Sequence, residues 1–559
     1  MTSKLKPTLE EIKGLVARKA GNIIPVHQDI SADLITPVSA YLRLSESSDY
    51  SFLFESVSGG EKIGRYSFLG AGMSEIAPHV LAAKDASDSL HFVIRTGDNE
   101  AVQGDPLIVV ENELKNIKYV HVPGIPEFTG KRIIAGCIPK NDVKHYLVAI
   151  GGAIGYIAYD CVRYFEPRTA KKLRDPIGIP DAILMFCDTI VVFDHLHHIM
   201  KVVSHFRVDN TESEAYQIEM EYARVTAEIQ KVVQLLNSEH IPLPKQPPIE
   251  LNQPSESNVG KEGYENFVKK LKHHINEGDI IQAVPSQRLK KRTSLHPFNA
   301  YRQLRSVNPS PYMFYVDVKD FQIVGASPEM LIKVENNIVY THPIAGTRKR
   351  GKTPEEDDAL AADLLGDLKE RSEHIMLVDL GRNDVNRICQ PSTVKVDSLM
   401  HIERYSHVMH IVSNVSGKLR PDKTGFDAFR SIFPAGTVSG APKVKAMELI
   451  YELEGEKRGI YAGAVGYFAY SGSMDTAIAI RTMLFKDGYV YLQAGAGIVY
   501  DSVPVSEWEE TVNKLKSNVT AIENAEMYYH SRKIQQKETP LLEQILIEQD
   551  NFTVYPHYH

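Results

Sequence analysis

The sequence predicts an α+β fold in which antiparallel sheets are interspersed with helices. Three features predict it: strand runs joined by tight turns before residue 240, helices and strands mixed without βαβ alternation after residue 260, and no internal repeat at a fixed period. In the first half, Thr189 to Phe193 and Ile199 to Phe206 read as strands on either side of the turn Asp194 to His198, and Ser213 to Leu236 has helical periodicity. His195, His197 and His198 cluster in that turn, but no carboxylate or Cys partner lies at ligand spacing, so the turn reads as a plain hairpin. His240 to Glu262 packs five prolines among polar residues, as a surface connection does. It divides the chain into an amino-terminal region (1–240), a Pro-rich connection (241–260), a second region (261–525) and a tail (526–559). Beyond it, Phe267, Leu271 and Ile275 mark one face of a helix and Ile280 to Leu289 reads as a strand. A three-strand meander follows through Ile460 to Tyr470, Thr476 to Phe485 and Tyr489 to Gln493, with the hairpin signal Asp487-Gly488 at its second turn.

Composition narrows the function classes. With 43% hydrophobic and 24% charged residues in 559, the chain has an ordinary globular balance, which excludes collagen, coiled coil and wholesale disorder. A net charge of -8 gives no electrostatic footprint for nucleic acid or an anionic membrane, and the short basic run Arg288 to Arg292 reads as a solvated strand end. Cys137, Cys161, Cys187 and Cys389 form no CxxC pair, which argues against a disulfide framework and a zinc site and suits a reducing compartment. The first residues carry acids early and lack a long apolar run, so neither a secretory signal nor a transit peptide is expected. Gly459 to Met474, the longest uncharged stretch, is too short to span a bilayer. A cytoplasmic location is the expectation.

Gly346 to Thr353 satisfies the phosphate-loop pattern GxxxxGK[ST], and Ile375 to Asp379 mimics the apolar run ending in Asp that would hold its magnesium. However, Thr353-Pro354-Glu355-Glu356 has the signature of a capped helix start followed by Asp357 and Asp358, and acids there repel the phosphates such a helix must attract. Gly495-Ala496-Gly497 lacks the third glycine of a dinucleotide fingerprint.

Two other segments repeat one device. Glu370 and Glu373, and then Glu507 and Glu510, lie three apart in helical sequence, so each pair shares a face. The stripes Leu360, Leu364, Leu368, Ile375 and Trp508, Val512, Leu515, Val519, Ile522 are expected to anchor the two helices and leave the acids on the other side. Facing one another across a cleft, the four carboxylates form the hard-oxygen, partly hydrated site that Mg²⁺ prefers.

The segments PIAGTRKRG (343–351), SEHIMLVDLGRND (372–384), FPAGTVSGAPK (433–443) and QAGAGIVYDSVPVSEWEET (493–511) closely resemble the chorismate-binding enzymes, across nearly all of residues 260–520. The resemblance implies antiparallel sheets packed around a chorismate cleft with flanking helices. It also implies Glu373 and Glu510 as Mg²⁺ ligands supported by Glu370 and Glu507, with Gly346, Thr347, Thr437, Tyr461, Arg481, Gly495 and Gly497 lining the substrate. Glu329 resembles the general acid that protonates the departing 4-hydroxyl, and His410 the residue needed to eliminate pyruvate. Thr347 is placed in the catalytic group as well.

Gln282 stands where isochorismate and salicylate synthases carry a Lys that activates water; a neutral amide is no such base, which favours ammonia as the nucleophile. Ala345 stands where many aminodeoxychorismate synthases carry a nucleophilic Lys, which favours amination at C2 and anthranilate as product. Aminodeoxychorismate synthase is the nearest enzymatic rival, and a silent tryptophan-sensing subunit is the rival from another class. FLFES (52–56), GRYSFLG (64–70) and NPSPYMFY (308–315) resemble the tryptophan feedback site of anthranilate synthase large subunits, with Phe54 in place of the usual Leu. Glu55, Ser56, Asn308, Pro309, Met313 and Phe314 are the implied effector residues. No Cys lies in a glutaminase elbow, so a separate amidotransferase subunit, component II, is implied as the source of ammonia.

Overall fold

The computed structural model describes residues 3–56, 64–71, 80–83, 91–94, 100–103, 105–125, 151–208, 215–405 and 408–550; Cys137 and residues 551–559 of the tail lie outside them. Two large sheets form the body. The eleven-stranded sheet takes strands from both sides of the Pro-rich connection: Tyr50–Glu55 pairs with Tyr312–Val318, which continues through Phe321–Ser327, Thr482–Lys486 and Tyr489–Gly495 to Ser286–Arg292. In the twelve-stranded sheet, Gly152–Ile157 pairs with Ala464–Ala469, followed by Met474–Ile478, Met330–Glu335, Ile338–Thr341, Val408–Lys418 and Ile344–Lys349. These pairings are antiparallel.

The sheets face each other across a shared apolar core, as two half-buried antiparallel sheets must. Tyr156 of one sheet meets Phe321 of the other edge to face at 5.9 Å, and Tyr467 meets Phe68 at 6.4 Å. Helices cover the outer faces: Pro297–Val307 and the amino-terminal part of Pro504–Asp550 lie on the eleven-stranded sheet, Leu368–Asn386 and Gly425–Ile432 on the other.

Where the chain crosses between sheets fixes the site. Thr476 to Phe485, expected as one strand, is two: Met474–Ile478 belongs to the twelve-stranded sheet and Thr482–Lys486 to the eleven-stranded one. Apolar periodicity runs through both, so it hides the break; a positive φ of 53° at Arg481 makes it. The second crossing lies between Phe321–Ser327 and Met330–Glu335, and it holds Glu329. Two backbone bonds lock the crossings together: Ile478 N–H donates to the Glu329 carbonyl (3.0 Å) and Ala326 N–H to that of Arg481 (3.2 Å).

Other expectations change on contact with tertiary structure. The helix bearing Glu370 and Glu373 is separate from its predecessor, because Asp367 turns to extended backbone (ψ 114°) and caps the new helix at the Lys369 and Glu370 amides. Leu364 is buried, but Leu368 and Ile375 are 76% and 50% exposed, so they do not anchor it; His374, Leu377 and Val378 do. In the last helix Leu515 and Ile522 are buried, whereas Val512 is exposed and Glu507 is buried, so the buried face is rotated from the expected one. Ile280 to Leu289 is broken into Gln282–Ala283 and Ser286–Arg292. Its basic run is not solvated: Arg288 and Lys291 are buried, paired to Glu456 and Glu526. The hairpin turn at 194–199 and the Asp487-Gly488 turn form as expected, the latter with both residues at positive φ.

Candidate active site

The two crossings present Glu329 and Arg481 at the seam between the sheets. Arg481 is half-buried, and desolvation lowers its pKa against the opposing charges of Tyr461 and Glu510. None of its guanidinium nitrogens is a buried atom left without a partner, so the head stays open to water or to a ligand's carboxylate. Glu329 is 6% exposed, and desolvation raises its pKa to about 8, against the partial opposition of the Thr437 hydroxyl and the Ile344 amide. The carboxyl is therefore protonated at neutral pH and able to give a proton. A cavity of about 30 Å³ lies beside Glu329 and Thr437.

His410, on strand Val408–Lys418, does not line that cavity but feels the charge of Arg481. Its Nδ1 donates to the Gly346 carbonyl at 2.7 Å, with the Thr347 hydroxyl at 3.1 Å. Because a carbonyl only accepts, the proton sits on Nδ1 and Nε2 keeps its lone pair. Burial holds the imidazole neutral, with a pKa of about 4. Gly346 makes this contact possible: the strand bulges between Ala345 and Arg348, Gly346 takes φ 66°, and a Cβ there would press on Leu364 and the Glu370 carboxylate.

The two acid pairs do meet. The charges of Glu510 and Glu370 both raise the Glu373 pKa, and that of Glu510 raises the Glu507 pKa. Burial leads in raising both Glu373 and Glu507. Lys514, one helical turn beyond Glu510, bonds it at 2.7 Å and the Gly495 carbonyl at 2.9 Å, and draws the Glu373 pKa down. Sequence reasoning missed this cation, although its i,i+4 spacing to Glu510 was a usable signal. Gln282 Nε2 donates to Glu373 Oε1 at 3.1 Å, while the buried Gln282 Oε1 has no partner. Gly497 admits this pair: a Cβ there would stand 2.5 Å from Gln282 Nε2. Likewise Gly495 lies against the Tyr461 hydroxyl, 3.0 Å from its would-be Cβ.

Among the described residues no three His, Cys, Asp or Glu side chains converge tightly enough to hold an ion alone. All four carboxylates have a neighbour: Glu370 pairs with Arg348 (3.3 Å), Glu510 with Lys514 (2.7 Å), Glu373 accepts from Gln282 (3.1 Å), and Ser502 lowers the Glu507 pKa. Glu373 and Glu510 are hard oxygen donors at one locus, and a divalent cation there would offset the repulsion that raises the Glu373 pKa. That donor set fits a largely hydrated Mg²⁺ completed by a carboxylated ligand, once Glu510 exchanges its Lys514 contact.

The phosphate-loop pattern resolves differently. Arg348 pairs with Asp363, Asp367 and Glu370, Arg350 with Asp357, and the Gly351 amide donates to Asp357 at 2.8 Å, so that amide and both arginines are turned to carboxylates rather than to a phosphate.

A second cluster lies on the same eleven-stranded sheet, where Ala326, which bonds Arg481, pairs with Met313 and Met313 with Glu55. Glu55 sits opposite Met313 in register, is 4% exposed, and accepts from Tyr301 (2.5 Å) and Arg305 (3.1 Å) on helix Pro297–Val307. Asn308 and Pro309 follow that helix directly, and Ser56 ends the Glu55 strand. Phe314, one residue beyond Met313, stands on the opposite face over Gly325, so it does not join them.

Fold and cleft together define a chorismate-binding enzyme: the family model described as chorismate binding enzyme matches residues 92–520. The chain is 51% identical over 534 residues to anthranilate synthase component 1 of Saccharomyces cerevisiae, covering 94% of this chain and 97% of that protein. It is 50% identical over 527 residues to the probable anthranilate synthase component 1 of Schizosaccharomyces pombe, covering 94% and 98%. The crystal structure of anthranilate synthase component I from Streptococcus pneumoniae superposes with a TM-score of 0.65 at 35% identity, over 88% of this chain and 98% of that one. The chain belongs to the anthranilate synthase component 1 family.

Proposed function

We propose that this chain converts chorismate and ammonia into anthranilate, pyruvate and water, as the first step of tryptophan biosynthesis. The observation that carries the reading is the seam itself. A half-buried Arg481 lies within electrostatic reach of Glu510 and of the neutral His410, Glu510 acts in turn on Glu373, and the protonated Glu329 sits at the neighbouring crossing. A dicarboxylate of chorismate's shape satisfies both ends. Its enolpyruvyl carboxylate meets the planar fork of Arg481 beside Tyr461 and the Gly495 backbone, and its ring carboxylate points toward the Glu373 and Glu510 end. Mg²⁺ bound there would neutralise that carboxylate and draw electrons from the ring.

Glu329 gives its proton to the departing 4-hydroxyl, which leaves as water. Gln282 is no base, but its unpartnered Oε1 can accept an N–H from ammonia as the C2–N bond forms, the ring double bonds shift and the C4–O bond breaks; the extra ammonium proton passes to solvent, from which Glu329 is reprotonated. His410 Nε2 then takes the C2 proton, the ring becomes aromatic, and the C3–O bond breaks to release pyruvate. Thr347 orients His410 through its hydroxyl, and Thr437 lines the cavity beside Glu329.

Ammonia comes from glutamine through a component II subunit in this reading, since the sequence has no glutaminase nucleophile of its own. Tryptophan occupies the cluster at Glu55, Ser56, Asn308, Pro309 and Met313, whose ionic Glu55–Arg305 pair suits an amino-acid head group. No helix among the described residues is long and apolar enough to cross a membrane, which fits a cytoplasmic location. The test is direct: the pure chain, chorismate, Mg²⁺ and an ammonium salt should yield fluorescent anthranilate and equimolar pyruvate. Isochorismate or a 4-amino product would replace this reading with another.

A further inference from the structure

Behind His410 lies a buried polar group that the proposed chemistry does not use. Strand Lys395–Arg404 pairs with Val408–Lys418 so that Glu403 is the cross-strand partner of His410, and Tyr405 N–H closes the hairpin on the Val408 carbonyl at 2.8 Å. With a period of two, His401, Glu403 and Tyr405 share one face. Glu403 is 7% exposed and accepts from the Tyr405 hydroxyl at 2.9 Å. His342 Nε2 stands 3.7 Å and His401 Nε2 3.5 Å from its two oxygens. The Tyr405 ring packs edge-on against the His410 imidazole, 5.5 Å between centres. Arg350 fixes the Tyr405 carbonyl at 2.6 Å, and Arg404 is held by Asp357 and Asp358, so the hairpin is clamped from both sides.

The geometry points to Glu403 and Tyr405 as positioning residues for His410 that act on one half of the reaction, the elimination of pyruvate from the aminated ring. This rests on the function proposed above. The argument is electrostatic. In amination His410 stays neutral and Glu403 has little to stabilise. In elimination the C2–H bond breaks, its proton moves to His410 Nε2, its electron pair becomes a ring double bond, and the C3–O pair leaves with the enolpyruvyl group, which takes a proton to become pyruvate. His410 is then an imidazolium enclosed by protein, with Arg481 opposing that charge and Glu403 favouring it. A buried carboxylate in cross-strand position lowers the energy of that cation selectively through space, since the His410 Nδ1 proton is already given to the Gly346 carbonyl. The Tyr405 hydroxyl fixes the carboxylate while its ring holds the imidazole plane.

The two half-reactions make this testable in the full-length chain with chorismate, Mg²⁺ and ammonium. Glu403→Gln keeps an acceptor for Tyr405 and removes the charge. The expected result is an accumulated amino intermediate, still bearing its enolpyruvyl group, whose ratio to anthranilate rises at least tenfold over wild type. Tyr405→Phe should raise it at least threefold, and serves as the measurement if Glu403→Gln does not fold. His410→Met is the positive control for accumulation. A wild-type ratio in the folded Glu403 variant, or in Tyr405→Phe, overturns the inference alone. Wild-type chain that makes no anthranilate, or a His410 variant that accumulates nothing, removes the functional reading and this inference with it.

Discussion

Replacing Glu329 with Gln should make the protein more stable and nearly inactive at once. The Glu329 carboxyl titrates at about 8 when folded against a model value of 4.5. At pH 7 it is protonated by about ten to one, which is what a proton donor requires. The sign for stability follows. Between pH 4.5 and 8 the folded state binds the extra proton, so this group's contribution declines as pH rises through that window and is flat above it. At pH 7 the shift already expressed corresponds to an upper bound of about 3 kcal/mol, at 1.36 kcal/mol per unit. Gln has no such titration and should melt about 3 °C higher at pH 7, an advantage that vanishes near pH 4.5. It also cannot transfer a proton, so kcat/KM for anthranilate formation should fall about 10²- to 10⁴-fold. In wild type, kcat/KM should be level from about pH 5.5 to 7.5 and then fall tenfold per unit above about 8. Anthranilate fluorescence across pH, with differential scanning calorimetry of both proteins, measures all of this. A variant that melts lower at pH 7 and keeps its activity, or a wild-type profile level to pH 9.5, would refute the reasoning.

Further outcomes follow from the same geometry. Gly497→Ala puts a Cβ 2.5 Å from Gln282 Nε2 and 3.4 Å from Glu373 Oε1, and steady-state assay should show at least a tenfold loss in kcat with the fold intact by circular dichroism. Glu373→Gln should cost more than about 10³-fold in turnover, and Mg²⁺ should raise the melting temperature of wild type but not of this variant. Arg481→Lys loses the bidentate fork, so KM for chorismate should rise about tenfold or more; an unchanged KM would place the substrate elsewhere. Arg305→Ala removes the partner of Glu55, and inhibition titrations should show at least tenfold weaker tryptophan inhibition with uninhibited kcat within about twofold.

The fold class was legible because strands, turns and capped helices announce themselves locally. Thr353 as a cap and Asp487-Gly488 as a turn both form as their sequence reads. The break at Arg481 was not legible, since alternating apolar residues continue through it and only sheet membership reveals two strands. Helix faces failed for a related reason. Leu368 and Ile375 fit a helical stripe, but the cap at Asp367 restarts the helix and rotates them outward. At the site, ordered motifs pointed to the carboxylates, Arg481 and Glu329. Lys514, the Glu403–Tyr405 pair and the engagement of Glu370 by Arg348 depend on which segments the sheets bring together, and no local pattern states that.

The most direct test of the account follows labelled nitrogen through a single turnover. Pure chain in excess over chorismate, with Mg²⁺ and ¹⁵N-ammonium, should give anthranilate carrying one label on the carbon next to the ring carboxyl, and variants at Arg481 or Glu373 should give almost none. Label at C4, or unlabelled hydroxylated product, would contradict it.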